Sequence, residues 1–316
     1  MKYLRLFSRR DFLTSSALTL AGTTLDLHAE AAEPIIDIHQ HTNYRDRNNA
    51  MLLAHQRAMG VTQTILLPAG SEVKRPSTGD GKYNGLGGVK VGGNATAVAM
   101  AQQYPGEFLL GVNEVTDLPE ARAEIEKYLK LGAIIIGEQK FHVECDSKES
   151  QVLYALAAEY RVPILLHFQH ETYNMGFERF HTMLEKHPKT IFIGHAQTWW
   201  ANIDKNHPDP KVLYPKGPVT PGGITDRLLT DYPNVFADMS AGSGLQALTR
   251  DEEHARGFLD RHQDKMLYGS DCLDHFGRGP GCQGAQTIAA IRRLAPSKAI
   301  ERKILFENAQ KLFRLV

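Results

Sequence analysis

Pro34-Ile-Ile-Asp-Ile-His39-Gln-His41 is the stretch on which the fold turns. An apolar run rich in isoleucine ends in two histidines two positions apart, and on a strand of period two both rings project to the same side. His39 and His41 can therefore share one cation. The pattern recurs downstream. Ile164-Leu-Leu-His167, Ile191-Phe-Ile-Gly-His195 and Met266-Leu-Tyr-Gly-Ser-Asp271 are short hydrophobic runs, each ending in a residue type that binds metals. Neutral imidazole and carboxylate suit Zn²⁺, with Mn²⁺ or Fe²⁺ as alternatives, and His39, His41, His167, His195 and Asp271 fit one site.

Around these endings, apolar β-rich runs alternate with helical stretches. Strands are expected near residues 35–40, 62–67, 108–114, 133–139, 162–168, 190–195, 235–239 and 266–270. Residues 120–131, 150–160, 177–187 and 283–294 carry apolar side chains at three- and four-residue spacing, as helices packed outside a sheet do. Near-continuous apolar strands are buried on both faces, so the alternation predicts parallel strands joined by crossover helices. Eight strands in roughly 284 residues fit one α/β domain, a (β/α)8 TIM barrel over residues 33–316. Two connections, 70–93 and 198–223, exceed simple turns and follow strand C-terminal ends, where lids and pocket walls lie.

The first 32 residues are read separately. Ser8-Arg9-Arg10-Asp11-Phe12-Leu13 leads into the mildly apolar stretch 14–20 and then small residues around Ala29-Glu30-Ala31. That order predicts a cleavable twin-arginine (Tat) export signal over residues 1–32, with the Tat machinery as a transient partner and a periplasmic or extracellular destination. The chain of 316 residues is 42% hydrophobic and 23% charged with a formal charge of zero, which offers no basic field for nucleic acid. No apolar run reaches the length of a membrane span. Three cysteines, Cys145, Cys272 and Cys282, imply no disulfide framework, although Cys272 and Cys282 flank one loop and are placed to pair.

Taken in order, a His-x-His on the first strand, a histidine ending the fifth, a histidine ending the sixth and an aspartate ending the eighth resemble the amidohydrolase superfamily of metal-dependent barrels. The closing Glu307-Asn308-Ala309-Gln310-Lys311-Leu312-Phe313 is similar to the C-terminal helix of its amidohydrolase-2 branch. The resemblance implies that His39, His41, His167 and Asp271 are metal ligands. It makes His195 either a ligand of a second metal or an acid that polarises substrate, and Asp271 the group that takes the proton of a metal-activated water. The expected partner is a small-molecule substrate, an ester, lactone or amide, held on one or two divalent ions per chain. The branch also implies an alternative, non-oxidative decarboxylation of an aromatic or unsaturated acid. A homo-oligomer is compatible with both, and a non-catalytic exported binding protein is a further reading.

On the fourth strand, Ile136-Gly137-Glu138-Gln139-Lys140 decides the number of metals. Glu138 resembles the bridging carboxylate of TatD-like hydrolases, whereas a carboxylated Lys140 would bridge in its place, and the plainer alternative is an ion pair between the two or contacts of Lys140 and Glu138 with substrate at the barrel mouth. His142 continues the alternation toward substrate, and His170 lies three residues past His167. Trp199 and Trp200, just beyond His195, offer rings for stacking or form a hydrophobic lid, and Arg278 offers a clamp for a substrate carboxylate. Asp238 ends the seventh strand as a positioning or structural residue. His55, His181, His187, His254 and His262 fall in helical stretches and are expected at the surface.

Overall fold

The computed structural model describes residues 33–71 and 85–315, and Pro34–Val316 forms one compact unit. The export signal and most of the connection after the second strand lie outside the described residues. Among the described residues there are eight parallel strands: β1 Ile36–Gln40, β2 Gln63–Leu66, β3 Phe108–Leu110, β4 Ile136–Gln139, β5 Ile164–His167, β6 Phe192–His195, β7 Val235–Asp238 and β8 Met266–Leu267. They pair in chain order as β1-β2-β3 and β4-β5-β6-β7-β8. Backbone bonds close both seams. Ile134 N–H donates to Leu110 O and Gly137 N–H to Val112 O between β3 and β4, while Ile38 N–H donates to Tyr268 O and Asp271 N–H to His39 O between β8 and β1. A closed parallel sheet with no free edge follows, as in a TIM barrel.

Ile36, Ile38, Ile65, Leu165, Ile193 and Leu267 of β1, β2, β5, β6 and β8 form one apolar cluster with Leu67 just after β2 and Ile135 just before β4, and Phe236 of β7 and Leu109 of β3 pack against it. Ala309 and Phe313, on the terminal helix Asn308–Phe313, join the same cluster. Asn308 fixes that helix by donating to Gln263 O and Met266 O. Outer helices obey the expected periodicity: helix Ala121–Lys130 buries Ala121, Ile125, Tyr128 and Leu129, one stripe at four- and three-residue steps. Ser147, Asp251 and Ser297 cap helices Lys148–Tyr160, Glu252–Arg261 and Lys298–Arg302 by accepting from backbone N–H groups.

Strand pleat explains which ends can reach the barrel axis. On β5 and β6, Leu165 and His167 share a face, as do Ile193 and His195, so the alternation that fills the interior also delivers the histidines. β1 cannot work that way, because Ile38 and His39 are adjacent. Its register shifts between Asp37 and Gln40, and the irregularity lets His39 and His41 follow Ile38 to the inside while Asp37 turns outward to accept from Gln56 Nε2 at 2.8 Å. The register of β4 shifts likewise between Ile136 and Gln139, bringing Glu138 to the same side as Ile135.

Candidate metal centre

At the C-terminal ends of the strands, four acceptor atoms face one another. His39 Nδ1 lies 2.7 Å from Asp238 Oδ2, and His41 Nδ1 lies 2.5 Å from Leu67 O. A carbonyl and an ionised carboxylate only accept, so both Nδ1 atoms carry a proton, and both Nε2 atoms present lone pairs once a cation displaces the second proton that Asp271 and Asp238 favour on His39. Those Nε2 atoms are nonetheless 3.2 Å apart. Glu138 Oε2 stands 3.4 Å from His39 Nε2 and 3.5 Å from His41 Nε2, and Asp271 Oδ1 stands 3.3 Å from His41 Nε2. Buried acceptors that converge in this way repel unless a cation lies among them. His195 Nε2 and Asp271 Oδ1 are also buried without a hydrogen-bond partner. The donor set of imidazole and carboxylate therefore fits a divalent cation.

Glu138 stands between two groups of imidazoles, and by the same rule its ionised Oε1 accepts from His167 Nδ1–H, a proton that an ion on that side would displace. Its Oε1 meets His167 Nδ1 at 2.5 Å and His195 Nε2 at 3.5 Å, while Oε2 faces the β1 histidines. Ligand atoms of His39, His41 and Glu138 lie within 4.8 Å of one another, as do those of Glu138, His167 and His195 and those of His39, His195 and Asp271. The pairing His167↔His195 between β5 and β6 places the second set side by side.

The electrostatics demand positive charge here. Burial works against ionising Glu138, yet the Lys140 ammonium and His167 hold its carboxyl well below the usual range. Burial is likewise overcome at Asp271 by His39 and His41, and at Asp238 by His195 and His39, so three carboxylates stay ionised inside the protein. Burial disfavours a charged His39 ring, but Asp271 and Asp238 outweigh it and raise its pKa well above normal. His167 is pushed down to about 4 by burial and the Lys140 charge, which keeps it in the neutral form that ligates metal.

Asp238, read from its strand end as a positioning or structural residue, and Ser240, which no pattern singled out, meet in the site. Asp238 Oδ2 takes the Nδ1 protons of His39 and of His195, the latter at 3.1 Å, and Ser240 Oγ donates to the same oxygen at 2.8 Å. One carboxylate thus orients two imidazoles. Gly269 makes room: a Cβ there would stand 2.4 Å from Asp238 Oδ1 and 2.9 Å from His39 Cβ. Two tyrosines flank the cluster and escaped notice for want of a motif. Tyr44 packs edge-on to His41 at 5.1 Å between centroids, with its hydroxyl pKa raised by the Asp271 charge and by burial, and Tyr173 packs edge-on to His167 at 5.5 Å.

The remaining expected residues scatter. Lys140 is half-buried at the rim, its Nζ 5.8 Å from the Tyr173 ring centre. His142 lies 2.7 Å from Thr172 O through Nδ1, and His170 lines a neighbouring groove of about 500 Å³ together with Gln169, Thr198 and His207. That groove runs beside the ligand cluster and meets it through Gln169, whose Oε1 lies 3.4 Å from His167 Nε2. Trp199 and Trp200 correct the stacking expectation. Helix Gln197–Ala201 turns both rings into the core, where Trp199 lies against Phe168 and the bare face of Gly194, and Trp200 Nε1 donates to Asp238 O at 3.0 Å. Arg278 is exposed against Ala58 and Arg292 on the outer helices, away from the ligands, so the expected clamp is not where a substrate would meet the metal. His55 and His262 are buried rather than superficial. Cys272 and Cys282 are free thiols with sulfurs 3.7 Å apart.

Comparison with known proteins agrees with the fold. The amidohydrolase family model matches residues 36–315. An uncharacterised TIM-barrel protein from Bordetella bronchiseptica superposes with a TM-score of 0.61 at 17% identity, over 89% of this chain and 99% of that one. A probable 2-pyrone-4,6-dicarboxylic acid hydrolase from Acinetobacter baumannii gives 0.57 at 13%, over 89% and 99%. A manganese-bound dihydroxybenzoic acid decarboxylase from a Polaromonas species gives 0.56 at 16%, over 90% and 97%. No curated protein matches the sequence.

Proposed function

This chain belongs to the amidohydrolase family, and on that premise we propose that it is a metal-dependent hydrolase of a small ester, lactone or amide with a binuclear centre bridged by Glu138. The observation that carries the reading is the splayed carboxylate of Glu138, one oxygen toward His39 and His41 and the other toward His167 and His195. When bound, the metal lowers the pKa of a coordinated water to roughly 7 and polarises a carbonyl oxygen. Zn²⁺ and Mn²⁺ both suit the donors.

The protein groups divide the remaining work by exposure. The Glu138 side chain is 1% exposed and that of Asp271 is 12% exposed, so Asp271 is the carboxylate that solvent and substrate reach. Held ionised, Asp271 would face the ion through its buried Oδ1 and accept a proton from the attacking water through Oδ2, returning it to the leaving group. His195, oriented through Nδ1 by Asp238 and Ser240, keeps Nε2 facing the same space. Lys140 and Tyr173 at the rim suit a substrate with an acidic group and a flat face.

A second reading, non-oxidative decarboxylation of an aromatic acid, is favoured by the same Lys140 and by the fold shared with the dihydroxybenzoate decarboxylase. One preparation tests both: lactones, esters and amides are assayed for hydrolysis, hydroxybenzoates for carbon dioxide release. Hydrolysis lost in Asp271→Asn supports the proposal; carbon dioxide release without hydrolysis overturns it for the second reading. We further propose that the protein acts outside the cytoplasm after Tat export, which amino-terminal sequencing of the exported protein tests; a mature form that still begins at Met1 would contradict it.

A further inference from the structure

A second group of metal-binding residue types lies outside the centre described above. The helix Asn49–Ala58 and its C-cap Met59 carry His55 and Met59 four residues apart, hence on one face. The segment after β8 brings Cys272 to that face, and Cys282, which caps helix Gln283–Leu294, completes the group. All four side chains are buried. Cys272 Sγ and Cys282 Sγ are 3.7 Å apart, Cys282 Sγ is 3.5 Å from His55 Nε2, and Cys282 Sγ is 3.6 Å from Met59 Sδ. One ligand atom each from His55, Cys272 and Cys282 lies within 4.8 Å of the others.

The three separations from Cys282 Sγ match edges of a tetrahedron around one ion. Bonds of about 2.3 Å to sulfur and about 2.0–2.1 Å to nitrogen at tetrahedral angles place two sulfurs about 3.8 Å apart and a sulfur and a nitrogen about 3.5 Å apart. Two thiols, a thioether and an imidazole are soft donors that prefer a d¹⁰ cation to the ions suited to carboxylates. We propose that His55, Met59, Cys272 and Cys282 form a closed structural site for a thiophilic d¹⁰ cation, Zn²⁺ or Cu⁺. Binding forms two metal–thiolate bonds and releases the two thiol protons to solvent, with no change of oxidation state. Cys272 directly follows Asp271, and its carbonyl accepts from Gln40 Nε2 and Arg47 Nη1, so the site ties the loop that sets Asp271 to β1 and to helix Asn49–Ala58.

The test uses full-length protein with reduced thiols, titrated with Co²⁺ as the spectroscopic stand-in for Zn²⁺ and separately with Cu⁺ against a competing chelator. The nitrogen and oxygen ligands of the Glu138 centre give no sulfur charge-transfer absorption. The expected result is a near-ultraviolet thiolate-to-cobalt band, or one chelator-resistant Cu⁺ per chain. Either signal is to be lost in Cys272→Ser and in Cys282→Ser and kept in His41→Ala. Serine at 282 preserves the helix cap, and Met59→Leu, which removes one donor without touching a thiol, weakens Cu⁺ retention more than Co²⁺. A cobalt band alone identifies Zn²⁺ and Cu⁺ retention alone identifies Cu⁺. Wild-type protein that shows neither signal while both thiols react freely, or that forms a Cys272–Cys282 disulfide and takes up neither ion once reduced, overturns the proposal.

Discussion

The two ends of the same eight strands obey opposite rules. Toward the strand starts, isoleucine and leucine fill the barrel axis and Phe313 joins them, while the buried polar groups beside them, Asp37, Thr190, Asn234 and Asn308, are satisfied by hydrogen bonds. At the strand ends, buried imidazoles and carboxylates converge acceptor to acceptor, with three ionised carboxylates and two facing Nε2 lone pairs. The first arrangement is stable by itself. The second is stable only with added positive charge, and that difference separates the part of the barrel that folds from the part that works.

Breaking the working end should cost activity and spare the fold. Asp271→Asn is expected to lower kcat by about 10³-fold, within the range for losing a general acid–base group, with a melting temperature in the metal-free protein no lower than that of wild type. The folding end should respond in the opposite way: Trp199→Ala removes a ring buried against Phe168 and Gly194 and is expected to cost about 3–5 kcal/mol in denaturant unfolding. If that variant retained its stability and lost only substrate affinity, Trp199 would belong to the site after all. Asp238→Asn sharpens the boundary, because it leaves the ligands in place and removes the acceptor for two Nδ1 protons. Metal affinity should fall by about 10–100-fold, measured by competition with a chelator.

Asp226 offers the smallest effect and lies outside both ends. Burial opposes its ionisation, but His262, the Gly222 N–H and Arg261 hold its pKa down at about 2. A folded pKa below the unfolded value adds stability that is complete above the unfolded pKa and disappears as pH falls through the folded one. Stability should therefore drop between about pH 4 and pH 2 in wild type, by about 1 kcal/mol more than in Asp226→Asn once solvent screening is allowed for.

Sequence legibility followed the pleat. On β5 and β6 the strand alternates regularly, so one period gives both the apolar interior and the ends His167 and His195, and all eight strands were legible within a few residues. β1 and β4 each carry a register shift, which strict alternation does not contain. His39 and His41 were still readable because they are two apart, whereas Glu138 stayed open between a ligand, a neighbour of a carboxylated Lys140 and an ion pair or substrate contact, because nothing in the chain shows that its two oxygens face separate imidazoles. Asp238 was left between positioning and structure because nothing in the chain shows that it accepts from two imidazoles. The tryptophans were misread because proximity to His195 in sequence says nothing about the way a five-residue helix turns its rings. His55 was read as a surface residue because its sulfur neighbours come from a segment more than two hundred residues away.

The central claim is that the converging acceptors hold two divalent ions bridged by Glu138. Elemental analysis of metal-loaded protein tests it most directly, made in a Cys272→Ser/Cys282→Ser background so that only nitrogen and oxygen ligands are counted. Two ions per chain, falling to one in Glu138→Ala, is the predicted result. One ion in both proteins would remove Glu138 from the bridge, and no ion in either would contradict the account.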